Sequence, residues 1–508
     1  MKRARWGKIR VWLTISLLGV AGVLIVLNVA LARAGLSTRK ALVKELEQRF
    51  HADVELRGLQ LRILPRPKAS GEGVSIRRPE DGAAPFLAIR KLTAASGIFH
   101  LLHFPPHVQH VQLEGLEIHI PPRRQKDKAE QKQPQKRAQT LRFVMDEVIA
   151  DGTMLQTTPK DPGKEPLTWD IRKLTLYDAG VDRPMTFHAT LHNPKPPGDI
   201  RTTGSFGPWA ADDPGDTPVS GDYSFENADL SVFKGIAGIL SSHGKYGGTL
   251  DHIDVHGKAD VPQFALKSGG HALPLRTEFH SIVDGTNGDT ELQPVNAMLA
   301  DTPIVARGAV QGTPGVKGKE VILDAVIDNG KLEDVLRLAV DGEPPLTGIV
   351  SVKTKIDIPQ GQDEVVDKLR LDGSFSVRSA RFTSFNIEQK ITSLSRRARG
   401  EPKKKGPGSV LSNFHGRFRL RDGLMKFSTL SFTVPGARLD LIGSFGLRKQ
   451  SIDFEGTIRM EAKISQTMTG FKALLLKPID PFFRKNGETV IPIKIGGTRD
   501  HPSFGLRF

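Results

Sequence analysis

The feature that most constrains this chain is a period-two alternation of apolar and polar residues. It begins near residue 54 and recurs to the C-terminus. Val54-Glu55-Leu56 leads through Gly58 into Leu59-Gln60-Leu61-Arg62-Ile63 and stops at Pro65. Gly73-Val74-Ser75-Ile76-Arg77 repeats the pattern, and Val111-Gln112-Leu113-Glu114 continues after Gly115 into Leu116-Glu117-Ile118-His119-Ile120. Such alternation buries one face of a sheet and leaves the other polar. Asp151-Gly152, Asp284-Gly285, Asn329-Gly330, Asp372-Gly373 and Asp422-Gly423 punctuate the later strands. Asn and Asp tolerate positive φ and glycine adopts it freely, so these dipeptides predict two-residue hairpins. Gly416 to Phe427 and the Pro435-Gly436 turn into Ala437-Arg438-Leu439-Asp440-Leu441-Ile442 form the clearest stretch. The 51 glycines and 34 prolines exceed the usual combined share of roughly 12%, which favours many turns and hence many strands.

Helices are expected to be few. Spacing predicts one from Leu36 to Phe50, capped by Ser37, and one over Lys331 to Val340; Ser465 to Leu476 is a third candidate. Ile387 to Arg399 reads either way.

Val11 to Leu31 is uncharged over 21 residues, long enough for a hydrocarbon core of about 30 Å. Lys2, Arg3, Arg5, Lys8 and Arg10 precede it, which orients the N-terminus to the cytoplasm and the rest outward. A cleaved signal peptide is the competing reading, with Ala30-Leu31-Ala32 as its cleavage site, but the apolar run exceeds the usual signal core. Both readings export residues 33–508. The expected divisions are a basic tail (1–10), an anchor (11–31), an α+β segment (33–121), a mobile basic loop (122–140), a central β-rich region (141–395), a second basic loop (396–408) and a C-terminal β region (409–508).

The net charge of +16 suggests nucleic acid until it is located. Three segments, 1–10, 123–137 and 396–405, carry +5 each. The remaining chain is nearly neutral, so no basic body tracks a phosphate backbone and no nucleic-acid partner is expected. After export, the later clusters can meet only envelope partners; Arg396, Arg397 and Arg399 are candidate contacts for anionic lipid headgroups.

Chemistry is sparse. The chain lacks cysteine and has no nucleophile elbow, phosphate loop, dinucleotide fingerprint or His-Glu-x-x-His. His100, His103, His107 and His110 surround Pro105-Pro106, where spacing supplies no convergence, and His252, Asp254 and His256 share one polar strand face that reads as solvated. Phenylalanine, at 25 residues, dominates the aromatics; it offers apolar area without a polar handle, suited to a core or to acyl chains. No cofactor and no enzymatic activity are expected. Strands with one apolar face either close into sandwich cores or leave that face lining a groove, and periodicity is the same for both.

The order of these features resembles the AsmA family of Gram-negative envelope proteins, within the larger group of AsmA-like lipid-transport proteins. The likeness rests on the anchor and first strands (Val54 to Leu59, Leu64-Pro65-Arg66-Pro67, Gly73 to Ile76) and on Val148-Ile149-Ala150-Asp151-Gly152-Thr153. It rests also on the C-terminal block: Gly416 to Phe427, Pro435-Gly436-Ala437, Leu441-Ile442-Gly443, Ile491 to Thr498 and Pro502-Ser503-Phe504. The resemblance implies a mainly β fold: an N-terminal transmembrane helix, then a long curled antiparallel sheet with an open groove and a few short helices. The candidate groove-lining residues are Leu59, Leu61, Ile63, Val74, Ile76, Phe418, Leu420, Leu439 and Leu441. The implied role is a single-pass bacterial inner-membrane protein, mostly periplasmic, that binds or conducts phospholipid and supports outer-membrane homeostasis. The alternative is a non-lipid scaffold for outer-membrane protein assembly, partnered by other envelope proteins. The family brings no catalytic residues.

Overall fold

A computed structural model describes residues 53–62, 66–77, 85, 87–97, 100, 107–120, 144–157, 167–180, 183–208, 216–285, 287–313, 315–316, 318–361, 363–383, 385–402, 412–467, 480–498 and 501–506. The expected anchor, its basic tail, the helix over 36–50 and the loop over 122–140 lie outside these residues. The fold is mainly β. Its 25 strands are accompanied by four short α-helices among the described residues. The chain divides into an N-terminal unit (Met1–Val232, Leu240–Ala259, His280–Thr290) and a C-terminal unit (Phe233–Ile239, Asp260–Phe279, Glu291–Phe508).

The first nine strands are β1 (Asp53–Arg62), β2 (Lys68–Arg77), β3 (Leu87–Ala95), β4 (His107–Ile120), β5 (Val144–Thr157), β6 (Leu167–Ala179), β7 (Met185–Pro194), β8 (Pro197–Phe206) and β9 (Pro218–Asp229). Each of β1 to β8 pairs with its successor. All of these ladders are antiparallel except β4–β5, which is parallel. This one pair corrects the expectation of a wholly antiparallel sheet. Parallel neighbours need a connection of a dozen or more residues, and the sequence between Ile120 and Val144 is long enough.

The first strands share a change of phase. Inward residues run Leu87, Ile89, then Leu92, Ala94 on β3, and Val111, Leu113, then Leu116, Ile118 on β4. On β2, Ala69 is followed by Val74 and Ile76, and on β5 Val148 and Ala150 are followed by Thr153. Each strand therefore gains one residue at the same row. Gly58, Gly73, Gly115 and Gly152 stand there with φ of 61°, 60°, 61° and 63°, the left-handed bulge conformation that glycine adopts without penalty. A Cβ on Gly73 would come 3.1 Å from the Arg57 side chain, and one on Gly115 would come 3.1 Å from Arg90. Because every strand shifts together, one face stays apolar on both sides of the row. It closes into a core where Ile76, Leu87, Leu92 and Leu116 are fully buried.

Short strand β10 (Ile236–Ala237) pairs with the end of β12 (His252–Leu266); β11 (Ile239–Thr249), β13 (Leu273–Val283) and β14 (Thr290–Leu299) accompany it. The C-terminal unit continues with β15 (Thr302–Gln311), β16 (Glu320–Lys331), β17 (Leu346–Ile358), β18 (Arg370–Phe382), β19 (Ser412–Arg421), β20 (Leu424–Val434), β21 (Ala437–Gly446), β22 (Ser451–Met460), β23 (Arg484–Lys485), β24 (Glu488–Thr498) and β25 (Pro502–Leu506). Strands β15 to β22 pair in sequence order, β24 joins β22, and β23 and β25 join β24, all antiparallel.

Two of the expected turns form as read. Asp422 and Gly423, with φ of 51° and 69°, join β19 to β20, and Pro435-Gly436 joins β20 to β21. Asp284-Gly285 opens a longer turn between β13 and β14. Asp151-Gly152, Asn329-Gly330 and Asp372-Gly373 instead lie inside β5, β16 and β18. Gly152 takes a positive φ as a hairpin glycine would, at Asn329-Gly330 it is Asn329 that does, and Gly373 instead lets Lys353 and Thr354 approach across the ladder, so the dipeptide does not separate a hairpin from a strand interior.

The helices are α1 (Leu332–Ala339), α2 (Val365–Lys368), α3 (Phe385–Ala398) and α4 (Asp480–Phe483). The first matches the reading of 331–340. The ambiguous 387–399 segment is helical as α3, and of 465–476 only a short 3-10 turn, Ile464–Thr467, falls among the described residues. Buried Asp334 fixes α1: its Oδ2 accepts from the Thr302 hydroxyl at 2.9 Å and from the Asp301 N–H at 3.1 Å.

Candidate functional site

The register of the C-terminal unit assembles its apolar residues into rows that cross the strands. One row runs Leu323, Ile356, Leu371, Leu420, Met425, Phe445 and Ile452 from β16 to β22. The next contains Gly373, Phe418, Phe427, Gly443, Phe454 and Ile495 on β18 to β24. A third contains Ile327, Val352, Phe375, Gly416, Leu430, Leu441, Gly456 and Ile493. A fourth contains Val350, Val377, Phe414, Phe432, Leu439, Ile458 and Ile491. Seven strands spaced about 4.8 Å apart make this face roughly 30 Å wide.

Phenylalanines face glycines across the ladders. Gly373 opposes Phe418, Phe375 opposes Gly416, and Gly443 opposes Phe454. A Cβ on Gly416 would lie 2.8 Å from the Phe375 ring, and one on Gly443 would lie 2.7 Å from that of Phe454. The absent side chain lets each ring lie over its neighbour's backbone.

The helices cover one end of this face. In α1, Leu332, Val335 and Leu336 pack on Val350, Val377, Ala380 and Phe414. In α3, Ile391, Leu394 and Ala398 pack with Phe432, Val434, Ala437, Leu439 and Met460. The first two rows belong to neither cluster. Their side chains, Leu420 apart, are neither fully buried nor fully exposed: Leu323, Ile356, Leu371, Met425, Phe427, Phe445, Ile452 and Phe454 are half-buried.

The opposite face is charged. One row reads Arg307, Asp324, Lys355, Asp372, Arg419, Lys426, Ser444, Asp453. Arg419 Nε reaches Asp372 directly across the ladder at 2.9 Å, and Lys494, which sits opposite Glu455, reaches diagonally to Asp453 at 3.8 Å. Opposite charges directly across a ladder favour this register, and a one-residue slip would carry them onto the apolar face.

The nine expected groove residues fall in different settings. Val74 and Ile76 belong to the closed N-terminal core. Leu59 and Leu61 lie on β1, and Ile63 lies outside the described residues. Phe418 and Leu420 are in the open rows, Leu441 is one row nearer the helices, and Leu439 packs in the cluster beside α3. Leu420 is 1% exposed, whereas Phe418 and Leu441 are half-buried. Arg396 and Arg397 occupy the last turn of α3, where cations complement the helix dipole. Arg399 follows, its side chain against Gly436 and its Nε donating to the Ser395 carbonyl at 3.4 Å. Arg397 and Arg399 are exposed and Arg396 is half-buried. Lys2, Arg3, Arg5, Lys8 and Arg10 lie outside the described residues.

Reading the sequence missed Leu323, Ile356, Leu371, Met425, Phe445 and Ile452. A signal was present in the recurring glycine and phenylalanine two residues apart: Gly373/Phe375, Gly416/Phe418, Gly443/Phe445 and Phe454/Gly456.

The histidine-rich segment around Pro105-Pro106 does not converge. His107 Nδ1 pairs with Asp146 at 2.7 Å, His110 Nδ1 with Glu147 at 2.9 Å, and His100 lies 3.3 Å from the Gln109 amide. His103 is outside the described residues. Two tyrosines mark a polar patch in the N-terminal unit: Tyr246 Oη is 2.7 Å from Thr202 and Tyr223 Oη is 3.1 Å from Ser242. Burial raises both phenol pKa values. Among the described residues no helix is long and apolar enough to cross a membrane.

No protein-family model matches the chain, and neither a curated protein nor a solved structure matches it.

Proposed function

We propose that this chain binds phospholipid through its acyl chains on the open apolar rows of β16 to β22. The observation that carries the reading is the pair of adjacent rows from Leu323 to Ile452 and from Phe418 to Phe454, left half-buried beyond the two helix-capped clusters. Apolar surface held next to water is costly at about 25 cal/mol per Å², and hydrocarbon chains are the ligand that relieves this without needing polar partners. The charged reverse face keeps the sheet wetted on its other side. With the apolar segment over 11–31 as an inner-membrane anchor and the AsmA resemblance as context, the role is a periplasmic, non-enzymatic lipid-binding or lipid-conducting protein serving the outer membrane.

Phospholipid should co-purify with the detergent-solubilised full chain and be identified by mass spectrometry of its extract. Photo-crosslinkers at Met425 and Phe445 should label acyl chains, and those at Lys426 and Ser444, on the charged face, should not. Lipid-free protein, or equal labelling from both faces, would refute the reading. Capture of outer-membrane proteins by such lipid-free material would favour the scaffold instead.

A further inference from the structure

Strands β12 and β13 carry a cluster that the lipid reading does not use. Asp254 and His256 alternate on one face of β12, and His280 reaches them from β13. His256 Nε2 lies 2.9 Å from Asp254 Oδ1, and His280 Nε2 lies 3.0 Å from Asp254 Oδ2. The two imidazoles stack with centroids 4.1 Å apart and planes 14° from parallel. Both Nε2 atoms thus point at one carboxylate, and the three ligand atoms lie within 4.8 Å of one another. Among the described residues this is the one group of three or more such side chains that converges in this way.

We propose that Asp254, His256 and His280 bind a divalent transition-metal ion, with Zn²⁺ as the fitting case. Two imidazole nitrogens and one carboxylate oxygen are a recurrent zinc donor set, with bonds of about 2.0–2.2 Å. Tetrahedral bonds of that length separate ligand atoms by about 3.3 Å, so the observed 2.9 and 3.0 Å contacts need to open by only a few tenths of an ångström. The stacked rings direct their Nε2 atoms side by side, each at its own oxygen of Asp254, so closing on one ion requires a turn of the exposed His256 ring about its side-chain torsions. His256 is exposed and the other two are half-buried, so water completes the coordination. Bound zinc would tie β12 to β13.

The test is titration of Zn²⁺ into the full chain against a chromogenic chelator, with thermal unfolding as a second readout. The wild type should hold one equivalent that His280→Ala and Asp254→Asn lose, or bind at least tenfold more weakly. His110→Ala, which removes a histidine paired with a single carboxylate, should keep it. Zinc should raise the melting temperature of the wild type and of His110→Ala and leave His280→Ala unmoved. His256→Ala repeats the test should His280→Ala fail to fold. No zinc uptake by the wild type, unchanged uptake in His280→Ala, or equal loss in His110→Ala would overturn the site.

Discussion

Strands β2 to β5 and strands β16 to β22 are written in the same alternation, yet their apolar faces end in different states. In the first group Ile76, Leu87, Leu92 and Leu116 are fully buried in one continuous cluster. In the second, full burial of apolar side chains gathers near α1 and α3, and most of the first two rows stay half-buried. Alternation specifies a face; what covers that face is specified by elements elsewhere in the chain. The difference separates positions whose side chains stabilise the fold from positions available to a ligand.

The strongest way to break this comparison is to truncate one residue on each side. Ile89→Ala, in the closed core, should cost about 2–5 kcal/mol, as buried large-to-small changes do. Ile356→Ala, in an open row, should cost about 1 kcal/mol, since its side chain retains water contact. Urea denaturation followed by circular dichroism measures both, and equal costs would erase the contrast. Next in size, Gly73→Ala should cost about 1–3 kcal/mol, because the new Cβ needs a left-handed φ and meets Arg57. Gly505→Ala, where nothing lies within 4 Å, should cost far less.

Phe445→Ser sharpens the comparison from the functional side. It should change stability by only about 1 kcal/mol while reducing bound phospholipid several-fold in extracts of the purified chain. On the charged face, Asp372→Ala should cost less than about 1 kcal/mol, and salt should shrink even that, because the Arg419 pair is exposed.

The smallest effect is titration of the tyrosines. The chain has three, and Tyr177 is exposed while burial raises the phenols of Tyr223 and Tyr246. Ultraviolet titration should show two of them ionising above the ordinary range near 10. Because burial holds each phenol's proton more tightly in the folded state, its contribution to stability is fully present below the unfolded pKa and is lost as pH rises through the folded value. Three coincident titrations would remove this polar patch from the description.

Much of the fold was legible because its signals are local. Alternation marked the strands, and Asp422-Gly423, Pro435-Gly436 and the helix over 331–340 follow from dihedral preference and helical spacing. The phase shift through Gly58, Gly73, Gly115 and Gly152 was not, since a glycine inside a strand looks like a turn until its neighbours' register is known. The candidate site was legible only in pieces. Phe418, Leu420 and Leu441 could be named, but the row joining Leu323 to Ile452 exists only through pairings of residues distant in sequence. His256 and Asp254 are two apart and visible together, whereas His280 arrives from another strand. Cross-strand convergence leaves no trace in linear spacing.

The aligned bulges of the first strands have a consequence for how this region can change its length. Gly115 acts like a dislocation in a crystal: it moves everything beyond it by one lattice step. Deleting it alone would leave Val111, Leu113, Leu116 and Ile118 in plain alternation, but the extra residues Arg90 of β3 and Gly152 of β5 would then face no counterpart on β4. The defect is harmless because it is shared by adjacent strands, so the line can be healed or moved only by matched edits in several of them. Single-residue insertions and deletions on either side of it should be tolerated only where a strand ends.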